Sequence, residues 1–338
     1  MKNKIISFYR KNKRVILLAL RVVISVSLIA YLIKTQLKDF QSVIEILKSS
    51  NIILLLLSLS THIFGVWITA FRWRTLLTTQ KVSLSTATLS VTVLIGLFFN
   101  NLLPTSIGGD VFRTYDASKK AGVPLSTSAS VIVVERLSGV VSAATYLIAA
   151  LFLGFTAIGN QPMIIPIIIF FVISLIIAFI IINPSVLKLG RLFNRFAFLR
   201  RLREKLSNTY KTLSSFKRYK VVLVKVLIYS FLLQFSVILN YWLAARALGI
   251  DLDLTAFIFI VPVVATIAMV PISIGGIGPR ENSLVFILVA MGVANTKAAL
   301  CSLLILFMFI LVGIVGGIVY MVRPYFEKRF KKIVPEDY

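Results

Sequence analysis

The chain has 338 residues, 58% of them hydrophobic, with a formal net charge of +25 and one cysteine. Its mean hydropathy of +0.94 is far above that of a soluble domain, which confines the fold to transmembrane helices or a closed barrel. Long unbroken apolar runs, rather than alternating ones, select helices. In a membrane chain the positive charge reads as the excess of Lys and Arg in cytoplasmic loops, not as a nucleic-acid surface. A lone Cys301 excludes an intrachain disulfide.

Residues 1–14 are basic and precede a first span at about 15–33. Those 19 residues reach about 28 Å, enough to cross the hydrocarbon core. No small-residue cleavage site follows, so this is a retained signal-anchor helix. In 36–50, Phe40, Val43, Ile44 and Leu47 fall at helical spacing, the pattern of a short interfacial helix. A second span covers about 52–71 and ends in Arg72-Trp73-Arg74, read as an interfacial anchor. A broken apolar segment occupies 87–122, and a third span about 128–153. Asn160-Gln161-Pro162 turns the chain into a fourth span, about 162–182. A basic loop with surface-seeking apolar residues fills 186–220. The fifth span is about 221–247, a second broken segment covers 255–293, and the sixth span is about 297–322, followed by a basic tail.

The two broken segments carry a repeat. Pro104-Thr-Ser106-Ile-Gly108-Gly109 returns 167 residues later as Pro271-Ile-Ser273-Ile-Gly275-Gly276. Proline lacks an N–H and paired glycines are poor helix formers. Such a break survives at membrane depth only inside protein or against a wet cavity. Each segment is therefore expected to be a re-entrant hairpin whose second half-helix presents free N–H groups to an anion. The same offset relates spans two and five, and three and six. Each half is therefore read as span, span, hairpin, span, an odd number of crossings, so the halves run in opposite directions. The first structural repeat is placed at 1–185, with its hairpin at about 87–122, and the second at 186–338, with its hairpin at about 255–293. Paired broken helices of this kind point to a transporter site near the midplane. The expected fold is an all-α polytopic membrane protein, a single domain with six to eight transmembrane helices in an inverted-topology repeat. Of the 37 Lys and Arg, 28 lie in 1–14, 72–86, 113–127, 186–220 and 323–338. Both termini are thus expected in the cytoplasm.

Asp110, Arg113, Glu135, Arg136, Arg280 and Glu281 lie at membrane depth, where charge is costly and functional by default. Two readings of their mixed signs stand. They form a buried ion-pair lattice joining the hairpin tips, or the arginines bind a lipid phosphate, whose geometry guanidinium matches. Glu135 and Glu281 are also candidates for proton coupling. Asn100 and Asn101 are suited to capping the first half-helix. His62 reads as a packing histidine, Gly313, Gly316 and Gly317 as close-packing positions, and Asp251-Leu-Asp253 as a helix cap or a weak D-x-D. No metal-ligand spacing occurs, and no cofactor is expected.

The run Asn101-Leu-Leu-Pro-Thr-Ser-Ile-Gly-Gly-Asp110, then Arg113, Glu135-Arg136-Leu-Ser-Gly139 and Pro271-Ile-Ser-Ile-Gly-Gly-Ile-Gly278-Pro-Arg280-Glu281 resembles the flippase-like membrane family. Its best-known member domain is the transmembrane region of lysylphosphatidylglycerol synthase, the multiple peptide resistance factor. Arg72-Trp73 also fits. The resemblance covers nearly the whole chain and implies movement of a polar-headed lipid between leaflets of the cell membrane. The substrate-binding residues so implied are Asn101, Ser106, Gly108, Gly109, Asp110, Arg113, Glu135, Arg136, Ser273, Gly275, Gly276, Gly278, Arg280 and Glu281. The ligand expected is an anionic phospholipid or a polyprenyl-linked head group. The synthase attaches lysine through a cytosolic domain, which a chain ending at Tyr338 is expected to lack. An alternative is an integral-membrane transferase, with Asp251, Asp253 or Glu135 as chemistry, or a partner subunit of a separate lipid-modifying enzyme.

Overall fold

A computed structural model describes residues 2–37, 39–103, 108–152, 216, 218–270 and 272–333. Every regular element among them is a helix: α1 Lys2–Gln36, α2 Phe40–Lys48, α3 Ile52–Thr79, α4 Thr86–Leu102, α5 Gly108–Ala121, α6 Leu125–Phe152, α7 Lys220–Ala247, α8 Leu254–Ala268, α9 Pro279–Ala290 and α10 Asn295–Ile333. The protein is an all-α polytopic membrane protein. Five of the described helices, α1, α3, α6, α7 and α10, are long and apolar enough to cross a bilayer. The expected fourth span, the basic loop up to residue 215, Ser106 and Pro271 lie outside the described residues.

Local chemistry sets the helix starts. Asn51 accepts from the backbone N–H groups of Ile53 and Leu54, and Ser85 from that of Thr88. Each satisfies donors that the first turn leaves unpaired. The broken segments each yield two short helices. At 1.5 Å per residue, α4, with 17 residues, reaches about 26 Å, and α5, α8 and α9 less, against about 30 Å of hydrocarbon.

The second span differs from expectation. It does not end at Phe71 but continues to Thr79, with Trp73, Leu76 and Leu77 fully buried. Apolar residues at helical spacing keep one face of α3 in the core past the charges. Arg72 is therefore a buried mid-helix residue rather than an interfacial anchor. Neither it nor Arg113, also buried, belongs among the loop charges.

Two hydrophobic cores result. One joins the second half of α3 to α4, α5 and the start of α6 around Trp73 and Leu89. The other joins the end of α6 and the second half of α7 to α8, α9 and the start of α10 around Phe257 and Ile260. α7 runs through both, from Val226 in the first to Ile238 and Tyr241 in the second, and α3 lies antiparallel against it. Asn51 N–H donates to Ala247 C=O (2.9 Å), the Asn240 amide to Ser58 C=O (2.7 Å), and Ser236 Oγ to Thr61 C=O (2.7 Å). α6 runs from the first core to the second, whereas α10 starts in the second. The charged residues lie where the cores meet.

Candidate functional site

The first motif draws its charges together. Gly108 and Gly109 open α5, and a side chain on Gly109 would overlap the Gly96 carbonyl of α4. The Gly109 N–H donates to Asn100 Oδ1 at 2.8 Å. Asn100 thus ties the end of one half-helix to the start of the next, while the Asn101 amide donates to Phe309 C=O at 3.1 Å and ties α4 to α10. That clamp places Asp110 and Arg113 beside Glu135 and Arg136 of α6.

Glu135 sits between two guanidiniums. Arg113 binds it at 2.9 and 3.1 Å, and Arg72 at 2.6 Å. Arg113 also reaches Asp110 at 3.4 Å and lies 4.5 Å from the Trp73 ring. Arg136 donates to Asp110 through Nε at 2.8 Å and again through a terminal nitrogen. Arg72 donates to Ser230 Oγ (3.1 Å), which in turn bonds Ser138. Three arginines thus face two carboxylates, leaving one net positive charge. Asp110, Arg113, Glu135 and Arg72 are buried, whereas the Arg136 side chain is half exposed. The side-chain Nε–H groups of Arg72 and Arg113 are buried and meet no acceptor.

A cavity of about 300 Å³ borders this cluster. Asn100, Asp110, Arg113, Glu135 and Arg136 line it on one side, and Pro262, Ala265, Thr266 and Met269 of α8 on the other. Pro262 sits inside α8 and removes one backbone donor there. A smaller chamber of about 140 Å³ adjoins through Thr69, Asn100, Arg113 and Leu233, with His62 on its wall.

The second motif touches this site without lining the larger cavity. Gly275, Gly276 and Gly278 have φ of +57°, +80° and +99°, backbone that side chains rarely adopt. A Cβ on Gly275 would come within 3.0 Å of the Asn100 carbonyl, so the two motifs meet there. Arg280 pairs with Glu281 (2.8 Å) and lies over the Phe309 ring at 4.5 Å, and His62 meets that ring edge-on. The other Glu281 oxygen accepts from Gly278 N–H at 2.5 Å. Ser273 Oγ is buried and unpartnered. The charges therefore pair within each motif region: no ion pair found between described residues joins Arg280 or Glu281 to the first cluster.

Arg72, Trp73, Ser138, Ser230 and the α8 wall were not among the sequence candidates. The signal for Arg72 was the helical spacing of Trp73, Leu76 and Leu77 after it. Glu135 accepts from a guanidinium on each side. Asp251 is an exposed partner of Arg246. Asp253 stands at the N-cap of α8 without a side-chain cap bond.

Fold and site together define a multi-pass membrane protein with a buried, net-cationic cluster beside a cavity. The family model of the lysylphosphatidylglycerol synthase TM region matches residues 18–317, and the chain belongs to that family. It is also similar to a UPF0104 membrane protein of Methanocaldococcus jannaschii, 23% identical over 328 residues, covering 92% of this chain and 95% of the relative. No solved structure matches it significantly.

Proposed function

We propose that this chain is a lipid translocase that carries the polar head of an anionic phospholipid or a polyprenyl-linked lipid between leaflets, its tails remaining in the bilayer. The observation that carries this reading is the cavity of about 300 Å³ walled by three arginines and two carboxylates. A phosphate monoanion balances the residual charge, and a guanidinium offers it two parallel N–H donors. Carboxylates hold the arginines in place until a phosphate displaces them, so the ion-pair lattice and the phosphate site become two states of one cluster. Arg136 is the one to engage first, because its side chain is half exposed.

Further support comes from the arrangement of the elements. The 167-residue offset maps α3, α4, α5 and α6 to within about four residues of the starts of α7, α8, α9 and α10. The counterparts α3 and α7 are antiparallel, as two halves of opposite orientation require. The short α4–α5 and α8–α9 pairs then act as hairpins entering from opposite faces of the cell membrane, with the chain's termini in the cytoplasm. Family membership supports the membrane setting.

The test is head-group translocation in reconstituted vesicles, using a fluorescent anionic phospholipid and an impermeant quencher. Losing one charge-assisted hydrogen bond costs roughly 1.5–3 kcal/mol. Arg136→Gln is therefore expected to slow translocation by about tenfold or more, with the protein still folded. Unchanged translocation would remove the arginine site.

A further inference from the structure

Among the contacts that join the halves are two seams that the repeat exchanges. α4 packs against α10, and their counterparts α8 and α6 pack against one another. The seams differ in state. Along α4–α10 the backbones touch: side chains on Gly313, Gly316 and Gly317 would overlap the Asn101 amide, the Leu94 carbonyl and the Phe98 ring. The Asn101 bond to Phe309 crosses this seam. Farther along, Phe99 stacks on Phe112 at 4.7 Å, and Tyr320 meets both rings edge-on at 5.3 and 5.8 Å. Beyond the rings, Arg323 donates to Asp116 Oδ1 at 2.7 Å, while Thr92 donates to Oδ2 at 2.6 Å and Lys120 lies 3.4 Å away. The α6–α8 seam is packed at one end, where Ala144, Leu147 and Ala150 share a core with Phe257, Ile260 and Val264, and open at the other. The larger cavity lies in it, and a Cβ on Gly139 of α6 would meet nothing within 4 Å.

Two related surfaces, one zipped throughout and one parted beside the cavity, are what a site reached alternately from two sides requires. We propose that the α4–α10 seam is the second passage for the lipid head group, closed in this conformation, and that the Asp116–Arg323 pair is its latch. This rests on the translocase reading and deepens it. In the other conformation α6 closes on α8 through the free space at Gly139, and α10 parts from α4. The leaving phosphate replaces the Asp116 carboxylate on Arg323 and Lys120, the same exchange of carboxylate for phosphate that admits it at Arg136.

The experiment bridges the seam. In a Cys301→Ala background, Phe99→Cys and Tyr320→Cys are linked by a short bis-methanethiosulfonate, and translocation of the fluorescent anionic phospholipid is followed in vesicles before and after bridging. Bridging is expected to slow translocation at least about tenfold, with recovery on adding reductant, which also shows that the variant is folded. Translocation unaffected by the bridge would overturn the second passage. A protein that moves no lipid even unbridged would overturn the translocase reading, and the passage with it. Separately, Asp116→Asn is expected to raise the rate at which Phe99→Cys, part-buried in the seam, reacts with an impermeant thiol reagent by several-fold. An unchanged rate would overturn the latch, whatever the lipid assay gives.

Discussion

Glu135 is the residue on which the cluster is built. It faces Arg113 and Arg72, all three buried. Removing one partner of a buried pair leaves the other charge uncompensated, at a cost of about 3–5 kcal/mol. Glu135→Gln is expected to lower stability by that order in a thermal or denaturant assay in detergent. Loss of Arg72 by Arg72→Gln in the same chain is expected to recover part of it, because the charge left behind is then removed. Additive losses would show that the three residues do not act as one unit. Arg136 stands apart in exposure. Its partner Asp110 is buried but keeps Arg113 at 3.4 Å, so Arg136→Gln is expected to lower the unfolding midpoint less than Glu135→Gln does while it slows translocation. The resemblance included Arg72, but its role was not legible, because a charge beside Trp73 at the end of an apolar run reads as an anchor. Only its partner on α6, 63 positions away, gives it another role.

At the scale of elements, the seams make opposite predictions for one kind of substitution. Gly316 faces the Leu94 carbonyl with no room for a methyl group, whereas Gly139 faces open space. Overpacking costs about 1–3 kcal/mol, while alanine favours a helix interior over glycine by up to about 1 kcal/mol. Gly316→Ala is therefore expected to destabilise the protein in detergent, and Gly139→Ala to be neutral or stabilising. Equal effects would contradict the difference between the seams. The latch on α5 has its own pH signature. Burial alone raises the Asp116 carboxyl, but hydrogen bonds from Arg323 and Thr92, with the Lys120 and Arg323 charges, outweigh it and hold the group below its ordinary value of 3.8. Because that value is depressed in the folded chain, its contribution is fully present above 3.8 and is lost as pH falls through the lower, folded value. Reactivity of Phe99→Cys is therefore expected to be flat with pH near neutrality, after correction for thiolate content, and to rise only in strong acid.

For the molecule as a whole, much was legible in the sequence. Helix starts from α3 onward followed from the apolar runs, whereas lengths did not, α3 continuing past Phe71 to Thr79. The glycine repeat located both breaks: Gly275, Gly276 and Gly278 need their positive φ, a constraint local enough to be written in residue type. Partner choice was not legible. The mixed signs suggested pairing across the two tips, yet Arg280 takes its immediate neighbour Glu281, and Arg113 takes Glu135 of the next helix. Which oppositely charged group a buried arginine meets depends on helix rotation, and apolar periodicity fixes that only loosely in a chain that is hydrophobic all round. The α8 wall of the cavity was silent for the same reason: Pro262, Ala265, Thr266 and Met269 carry no charge to announce it.

The opposed entry of the two short helix pairs is best tested by sidedness. Lys119 near the end of α5 and Ala290 at the end of α9 are both exposed, so either accepts a cysteine in a Cys301→Ala background. In sealed vesicles of known orientation, an impermeant maleimide is expected to label Lys119→Cys only from the cytoplasmic face and Ala290→Cys only from the opposite face. Labelling of both from one face would contradict the opposed hairpins and the head-group route built on them.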